Sequence, residues 1–200
     1  MYLFGASGHA KVIMDVLNNM SVPVTGLFDD NPAVKELNGT AVLGKYAGQE
    51  LDAELIISIG DNNIRSKIAN QLQVQFGKAI AKSATISNSA DIAEGTVVMQ
   101  GAIIQASTQV GKHAIINTRA SIDHDCLVGN FVHVSPGAVL CGNVHVGEGS
   151  HIGAGAIVIP NLRIGKWCKI GAGAVVISDI PDFSTAVGNP ARIIKCNQNE

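Results

Sequence analysis

Two histidines and two aspartates lie close together in residues 122–133, which read IDHDCLVGNFVH. An imidazole has an ordinary pKa near 6.5, so a neutral His124 can take a proton from an amine or a hydroxyl at physiological pH. A neighbouring carboxylate can orient the ring or support the imidazolium. Asp123 and Asp125 are both candidates, because adjacent side chains of a strand point to opposite faces. The segment therefore offers an imidazole and two carboxylates that suit general acid–base chemistry.

A six-residue repeat must position these groups. Aliphatic residues recur at every sixth position from Ile86 to Val176, sixteen times without interruption. Glycine often follows them, which suits a short strand and a tight turn where φ is positive or the backbone approaches closely. Such units stack as a parallel β-helix with three units in each coil, so residues eighteen apart lie above one another at about 4.8 Å.

This stacking defines the surroundings of the two histidines. Gly142 lies eighteen residues after His124, so the next coil presents no side chain in that column and leaves room beside the imidazole. His133 lies nine residues after His124, half a coil around, and is expected on a different face. One chain cannot easily join them, and coils that contact only their neighbours make oligomerisation a natural expectation.

The other histidines suggest less chemistry. We expect His113 and His145 to be ordinary surface residues of a polar-faced helix. His133 and His151 are eighteen residues apart and could together bind zinc, but no further histidine falls in their column. We therefore predict no metal site.

The first eighty residues have a different pattern. YLF, VPVTGLF and AELIISIG read as strands, and AKVIMDVLNNM and DNNIRSKIANQL read as amphipathic helices, which predicts a small, mostly parallel α/β sheet of Rossmann kind. Gly5 and Gly8 allow close approach to an anion, and backbone amides at the helix N-terminus would point at a phosphate. Asp29 and Asp30 end the second strand, where a carboxylate can bind ribose. A simple tight turn is the alternative, and the short sheet favours a sugar nucleotide over NAD.

Composition narrows the partners. The 200 residues have a net charge of −2 and 4% aromatic content without a Lys/Arg run, which argues against nucleic acid and anionic membranes. The start MYLFGASGH lacks a basic segment followed by a long apolar stretch, and no window reaches 18 apolar residues, so we expect neither a secretion signal nor a membrane span. The four cysteines form no C-x-x-C pair and are expected to be reduced, buried thiols. We expect a cytoplasmic protein with a small ligand.

Five segments carry a resemblance to a known family. FGASGHAKV, FDD, IGDNNIRSKI, HDCLVGNFVHVSPGAVLCGNVHVG and VGNPAR occur in this order. Together they resemble bacterial hexapeptide-repeat sugar acyltransferases, the sialic acid O-acetyltransferases and UDP-4-amino-sugar N-acetyltransferases. The resemblance implies a left-handed β-helix, a homotrimer and acetyl-CoA bound in grooves between subunits. His124 of one subunit and His133 of the next could then line a single cleft.

The resemblance also implies roles for individual residues. The implied catalytic pair is His124 and Asp125. The residues implied to bind the cofactor are His133, Gly142, Gly171 and Gly188. The residues implied to bind the nucleotide are Ser7, Gly8 and His9 at the diphosphate, Asp29 and Asp30 at the uridine, and Asp61, Asn62 and Arg65 in the pocket wall. For Arg65, a surface charge on a helix is the alternative.

These observations predict three regions and one reaction class. Residues 1–80 are predicted to form the Rossmann-like nucleotide-sugar domain, residues 81–181 the β-helix acyltransferase domain, and residues 182–200 a C-terminal tail. The expected reaction is acetyl transfer from acetyl-CoA to a UDP-4-amino-4,6-dideoxy sugar used for surface glycans. A sialic acid O-acetyltransferase and a non-catalytic nucleotide-sugar-binding trimer are the alternatives.

Overall fold

A computed structural model describes residues 1–196 of the chain. It contains a small α/β domain followed by a parallel β-helix. The predicted α/β sheet is present, with three parallel strands in the order β2-β1-β5. The strands before the β-helix are β1 (Tyr2–Phe4), β2 (Gly26–Phe28), β3 (Glu36–Leu37), β4 (Thr40–Ala41) and β5 (Leu55–Ile57), and the helices are α1 (Gly8–Asn19) and α2 (Asn62–Gln71).

The two helices bury different kinds of surface. Helix α1 buries an apolar stripe that includes Ile13, Val16 and Leu17. In helix α2 the buried residues are Asn62, Arg65 and Ser66, whereas Ile64 is exposed. An amphipathic helix normally buries its apolar face, so the polar face of α2 indicates specific hydrogen-bond partners.

The repeat forms a left-handed β-helix whose three flat faces are each built from two-residue strands. Face 1 consists of β7 (Thr85–Ile86), β10 (Ile103–Ile104), β13 (Ser121–Ile122), β16 (Val139–Leu140), β19 (Ile157–Val158) and β22 (Val175–Val176). Face 2 consists of β8 (Asp91–Ile92), β11 (Gln109–Val110), β14 (Leu127–Val128), β17 (His145–Val146) and β20 (Arg163–Ile164). Face 3 consists of β6 (Ala79–Ile80), β9 (Val97–Val98), β12 (Ile115–Ile116), β15 (His133–Val134), β18 (His151–Ile152) and β21 (Lys169–Ile170), extended by β23 (Ser184–Val187) and β24 (Arg192–Cys196).

The register confirms the spacing of eighteen. Ile104 pairs with Ile86 and Ile122, and Val134 pairs with Ile116 and Ile152. Of the sixteen periodic aliphatic residues, fifteen are buried in the core and the first, Ile86, is partly buried. The hexad thus sets which side chain of each two-residue strand points inward.

The ends of the β-helix reach slightly beyond the repeat. Strand β6 already pairs with β9 on face 3, and β23 continues that face before β24 turns back antiparallel to it. Residues 197–200 of the predicted tail lie outside the described residues. Within residues 1–196 no helix is long and apolar enough to cross a membrane. The four cysteines are free thiols, but only Cys126 and Cys168 are buried, whereas Cys141 is partly buried and Cys196, at the end of β24, is exposed.

Candidate active site

His124 lies in the turn that joins faces 1 and 2. Asp125 adopts a left-handed backbone conformation with φ of 58°, which brings its carboxylate alongside the preceding imidazole. Nδ1 of His124 is 2.7 Å from Oδ2 of Asp125. The backbone N–H of His124 donates to Oδ1 of Asp123 at 2.8 Å. Adjacent side chains point to opposite faces only in a strand, and His124 lies in a turn. Here Asp125 contacts the imidazole ring, and Asp123 binds the backbone.

The electrostatics favour a basic imidazole. The hydrogen bond to Asp125, and then the charge of Asp123, raise the pKa of His124 above its ordinary value. The side chain of His124 is 58% exposed in the single chain. Because Asp125 engages Nδ1, the free nitrogen is Nε2, and this is the atom that can accept a proton from a substrate.

The space predicted beside His124 is used by its own ring. A Cβ atom added at Gly142 would lie 2.7 Å from both Cε1 and Nε2 of His124, so the imidazole rests directly on the glycine of the next coil. A side chain at position 142 and the present ring position exclude each other.

The substitution Gly142→Ala therefore makes a sharp test of the ring position. We expect turnover to fall by about 10- to 100-fold, because a positioned base contributes about 10²–10⁴ and the displaced ring keeps part of that. Thermal unfolding should change little, since the exposed ring can swing away. Steady-state kinetics and a melting curve check this. Gly155→Ala is the comparison, because Gly155 has open space around it but a φ of +65°, so alanine strains that turn without touching His124. Unchanged turnover in a folded Gly142→Ala protein would show that the ring position does not matter.

His133 lies on face 3, away from the turn of His124. Its Nε2 is 3.0 Å from Nδ2 of Asn117, and its ring stacks on His151 with the centroids 4.6 Å apart. Nδ1 of His133 is buried and has no partner among the described residues. Burial, assisted by the neighbouring His151, lowers the pKa of His133 to about 3. His133 is therefore neutral at physiological pH, and on its own chain it does not belong to the His124 site.

His133 and His151, the stacked pair that could together bind zinc, each contact another polar side chain. Nε2 of His151 is 2.8 Å from Oγ of Ser135, so each of the two rings has a polar neighbour of its own. No group of three or more His, Cys, Asp and Glu side chains arranged to hold a metal ion occurs in residues 1–196.

The Gly5–Gly8 turn leads from β1 into the N-terminus of α1. Ser7 is the N-cap residue in an extended conformation, and its side chain makes no capping hydrogen bond. The first N–H groups of a helix lack intrahelical acceptors and, with the helix dipole, favour an anion. Nε2 of His9 is buried and unpartnered among the described residues, and burial followed by the charge of Arg65 lowers the pKa of His9 to about 4.

The two aspartates after β2 have different roles. Both carboxylate oxygens of Asp29 accept backbone N–H groups, Oδ2 from Ala6 at 2.7 Å and Oδ1 from Asn31 at 2.9 Å. Asp29 thus holds the Gly5–Gly8 turn through the N–H of Ala6. Asp30 is exposed, and its carboxylate accepts no hydrogen bond from the described residues. Of the pair assigned to the uridine, Asp30 is the freer carboxylate.

The three residues assigned to the nucleotide pocket wall differ in burial and in hydrogen bonding. Asp61 is the N-cap of α2, and its Oδ1 accepts from the N–H of Ile64 at 2.9 Å. Asn62 is buried, and Arg65 is only 1% exposed. Five hydrogen bonds occupy the guanidinium of Arg65, so it is neither a surface charge nor a free group in a pocket wall.

Comparison with known proteins identifies the family. The family model described as the PglD N-terminal domain matches residues 1–72, and the model described as bacterial transferase hexapeptide (six repeats) matches residues 143–178. A variant of perosamine N-acetyltransferase from Caulobacter crescentus, solved with CoA and GDP-perosamine, is 36% identical, with a TM-score of 0.92 over 97% of this chain and 96% of that chain. The chain belongs to the hexapeptide-repeat sugar acetyltransferases.

Other relatives of this acetyltransferase agree. The acetyltransferase domain of PglB from Neisseria gonorrhoeae FA1090 is 36% identical with a TM-score of 0.90, and WeeI from Acinetobacter baumannii AYE is 30% identical with a TM-score of 0.89. Each match covers 96% of this chain and 98% of the other. An uncharacterized protein of Acanthamoeba polyphaga mimivirus is 33% identical over 94 residues, which span 44% of this chain but only 18% of that protein.

The glycines expected to line the cofactor groove of the acetyltransferase lie at two different corners. Gly142 is in the turn between faces 1 and 2, under His124. Gly171 follows β21, and Gly188 follows β23, so both lie beyond face 3. Within one chain these glycines do not form one groove, and Gly142 is the member that shares a site with His124 and Asp125.

A large cleft lies between α2 and face 3. It has a volume of about 1120 Å³. Its lining includes Asp61, Asn62, His133, His151 and Lys169. The structure therefore brings together two residues expected to bind the nucleotide and one expected to bind the cofactor, on the α2 side of the acetyltransferase.

The expectation that His113 is an ordinary surface residue is wrong. His113 is 4% exposed, its ring stacks in parallel on Phe131, and Phe76 contacts it edge-on. Burial, followed by the charge of Arg65, lowers the pKa of His113 to about 4. It belongs to a column at the corner between faces 2 and 3, here called the aromatic corner, whose members are Gly95, His113, Phe131, Gly149 and Trp167. Gly95 lies eighteen residues before His113 and makes room for its ring, a signal that the sequence contained.

Proposed function

We propose that this acetyltransferase transfers the acetyl group of acetyl-CoA to the amino group of a UDP-linked 4-amino-4,6-dideoxy sugar, with His124 as the general base. The contact between Nδ1 of His124 and Asp125, which leaves Nε2 free, is the observation that carries the proposal. The PglD-type N-terminal domain and the relative solved with CoA and GDP-perosamine support a nucleotide-linked amino sugar. A GDP-linked acceptor is the nearest rival, because that relative has one bound.

The chemistry follows from the state of the imidazole. The sugar amine attacks the thioester carbonyl carbon, and Nε2 of His124 accepts the proton that the nitrogen loses. The imidazolium that forms is stabilised by Asp125. As the carbon–sulfur bond breaks, the proton can return to the CoA sulfur, which leaves His124 neutral again.

The acceptor would be held by its nucleotide. The amides of Ser7, Gly8 and His9 at the start of α1 suit a diphosphate, and Asp30 offers an exposed carboxylate for the uridine. Asp29 supports this site indirectly, because it fixes the N–H of Ala6 within the turn. His133, Gly142, Gly171 and Gly188 are proposed to contact acetyl-CoA, with neutral His133 near its acetyl or pantetheine end.

The proposed site needs a second copy of the chain. His124 and His133 lie on different parts of one β-helix, and His124 is largely exposed. Face 1, next to His124, presents an apolar surface to solvent, with Ile157 39% exposed and Ile177 just beyond it 46% exposed. Face 2 presents mainly polar side chains, Asp91, Gln109, His145 and Arg163, with Leu127 40% exposed among them. We propose a homotrimer in which apolar face 1 is covered and His124 of one subunit meets His133 of the next.

Release of CoA from acetyl-CoA, followed with a thiol-reactive dye, tests the proposed function. The acceptors to compare are UDP-4-amino-4,6-dideoxy sugars, their GDP-linked counterparts, and sialic acids. We expect turnover with the UDP-linked amino sugars. Turnover only with GDP-linked sugars would correct the nucleotide, turnover only with sialic acid would correct the reaction to O-acetylation, and no turnover with any acceptor would contradict the proposal.

A further inference from the structure

The buried polar face of α2 is centred on Arg65. Its guanidinium makes none of the ion pairs found among residues 1–196, although it lies at 1% exposure. A charge removed from water without an acidic partner is costly, so such a group is a poor general-purpose stabiliser. An arginine does, however, offer five donors in a rigid planar fork, and here all five are used. The positions of the five acceptors therefore indicate the role of Arg65.

Two of the five hydrogen bonds reach the aromatic corner of the β-helix. Nε donates to the carbonyl of His113 at 2.8 Å, and Nη2 donates to the carbonyl of Phe131 at 2.9 Å. His113 and Phe131 are eighteen residues apart and belong to adjacent coils. One side chain from the α/β domain thus bridges two coils of the acetyltransferase core.

Asn62 extends this contact to a third coil. Its Oδ1 accepts from Nη2 of Arg65 at 2.7 Å. Its Nδ2 donates to the carbonyls of Gly149 and Ser150 at 3.0 and 3.2 Å. Gly149 follows Phe131 by eighteen residues, so Arg65 and Asn62 together run along three consecutive coils of the aromatic corner.

The remaining two bonds of Arg65 hold the loop between β5 and α2. Nη1 donates to the carbonyls of Ile59 and Gly60 at 2.9 and 3.1 Å. This loop packs on the proposed diphosphate turn, because a Cβ at Gly5 would lie 2.9 Å from Cγ1 of Ile59. Ser58 adds a hydrogen bond from its hydroxyl to the carbonyl of Gly5 at 2.6 Å. A continuous set of contacts therefore joins the Gly5 turn to the β-helix through Arg65.

We propose that Arg65 is a positioning residue that fixes the nucleotide turn at a set distance and orientation from the β-helix, so that the bound sugar is delivered to the acetyl-transfer site. The inference rests on the proposed function. Acetyl transfer needs the amine within near-attack range of the thioester, and a misplacement of about 1 Å can cost about 10²-fold in rate. Arg65 touches neither substrate. Its partners are mainly backbone carbonyls of the two parts that must be aligned.

The test is the substitution Arg65→Lys in the full chain. Lysine keeps the positive charge but places its donors on one nitrogen, so it cannot bond to both the Ile59–Gly60 loop and the aromatic corner. We expect kcat with the nucleotide sugar to fall about 10- to 100-fold. The KM for that sugar, the Kd for UDP and the Kd for CoA should each stay within about threefold, since the individual sites are intact. Amide hydrogen exchange should accelerate in residues 59–66 and remain slow in the β-helix strands.

Two further variants separate positioning from folding and from charge. Asn62→Ala removes the contact with the third coil and should reduce kcat in the same direction by a smaller factor. Lys82→Met, which removes an exposed charge from the first coil of the β-helix, should leave kcat and hydrogen exchange unchanged. An unchanged kcat in folded Arg65→Lys protein would overturn the proposal. So would a weaker Kd for UDP that accounts for the whole loss of kcat/KM, because Arg65 would then bind substrate.

The role of Arg65 can still be tested if the proposed function is wrong. If the unaltered protein shows no turnover with any nucleotide sugar, the proposed reaction is wrong, and hydrogen exchange alone tests the link. Faster exchange of residues 59–66 in Arg65→Lys would support Arg65 as the connection between the two parts. Exchange identical to that of the unaltered protein would overturn it.

Discussion

His124→Ala is expected to lower the turnover number by about 10²–10⁴ while leaving the Kd for acetyl-CoA nearly unchanged. A positioned general base contributes a factor of this size, and the loss should appear in kcat and in kcat/KM alike because the proton moves only in the transition state. Release of CoA measures turnover, and calorimetry measures cofactor binding. His145→Ala is the control: His145 lies in the next coil of face 2, where it pairs with Leu127, and its side chain makes no hydrogen bond to His124 or Asp125. Full turnover by His124→Ala would remove the mechanism.

The partner of His124 predicts the pH profile. In the proposed mechanism the neutral imidazole is the active form, so kcat/KM should rise with pH as His124 loses its proton. Asp125 raises the pKa of His124 through their hydrogen bond. In Asp125→Asn that pKa should fall, and the acidic limb of the profile should move to lower pH, with a lower plateau because the imidazolium loses its support. If the acidic limb of the profile keeps its position in Asp125→Asn, Asp125 does not control the pKa of His124.

Most of the β-helix could be predicted from the sequence, because a period of six residues is a local property of the chain. Each hexad supplies one inward aliphatic side chain, and stacking by eighteen then fixes the neighbours of every residue. The placement of His124 above Gly142 and the pairing of His133 with His151 both follow from this arithmetic. The same arithmetic links Gly95 to His113, so the burial of His113 could have been predicted by asking which glycines lie under large rings.

Contacts between the α/β domain and the β-helix have no comparable pattern in the sequence. Arg65 is held by the carbonyls of Ile59, Gly60, His113 and Phe131, and every residue type carries a carbonyl. A helix with an arginine four residues after an aspartate looks like an ordinary surface helix. Asp29 is similar, since its acceptors serve the backbone N–H groups of Ala6 and Asn31. Hydrogen bonds between side chain and distant backbone depend on tertiary structure and not on the identity of the partner.

The contact between α2 and the β-helix is expected to make the protein sensitive to acid. Three histidines near Arg65 have strongly lowered pKa values, about 4 for His9 and His113 and about 3 for His133, in each case mainly through burial. Burial also lowers the pKa of His151. In the unfolded chain these groups have an ordinary pKa near 6.5. Below that pH the unfolded state binds protons that the folded state does not, so the free energy of unfolding should fall as the pH drops from about 6.5 to about 4.

The expected loss is large on the scale of protein stability. A shift of one pKa unit corresponds to about 1.4 kcal/mol, so the shifts of the well-buried His9 and His133 amount to several kcal/mol, against the 5–15 kcal/mol typical of a folded domain. Urea unfolding at pH 7.5, 6.5, 5.5 and 4.5 measures the loss. Fluorescence of Trp167, the single tryptophan of the chain, reports on the aromatic corner itself.

A ring replacement separates these histidines from the carboxylates that also titrate in acid. His113→Phe keeps an aromatic ring between Phe76 and Phe131 but cannot bind a proton, so it should remove the share of His113 and make the pH dependence of unfolding shallower, while His9 and His133 keep theirs. The same replacement at His145, on face 2, should leave the slope as it is. A free energy of unfolding that stays constant from pH 7.5 to 4.5 would mean that the buried histidines gain compensating partners on protonation. An equally steep slope in His113→Phe would assign the acid sensitivity to other groups.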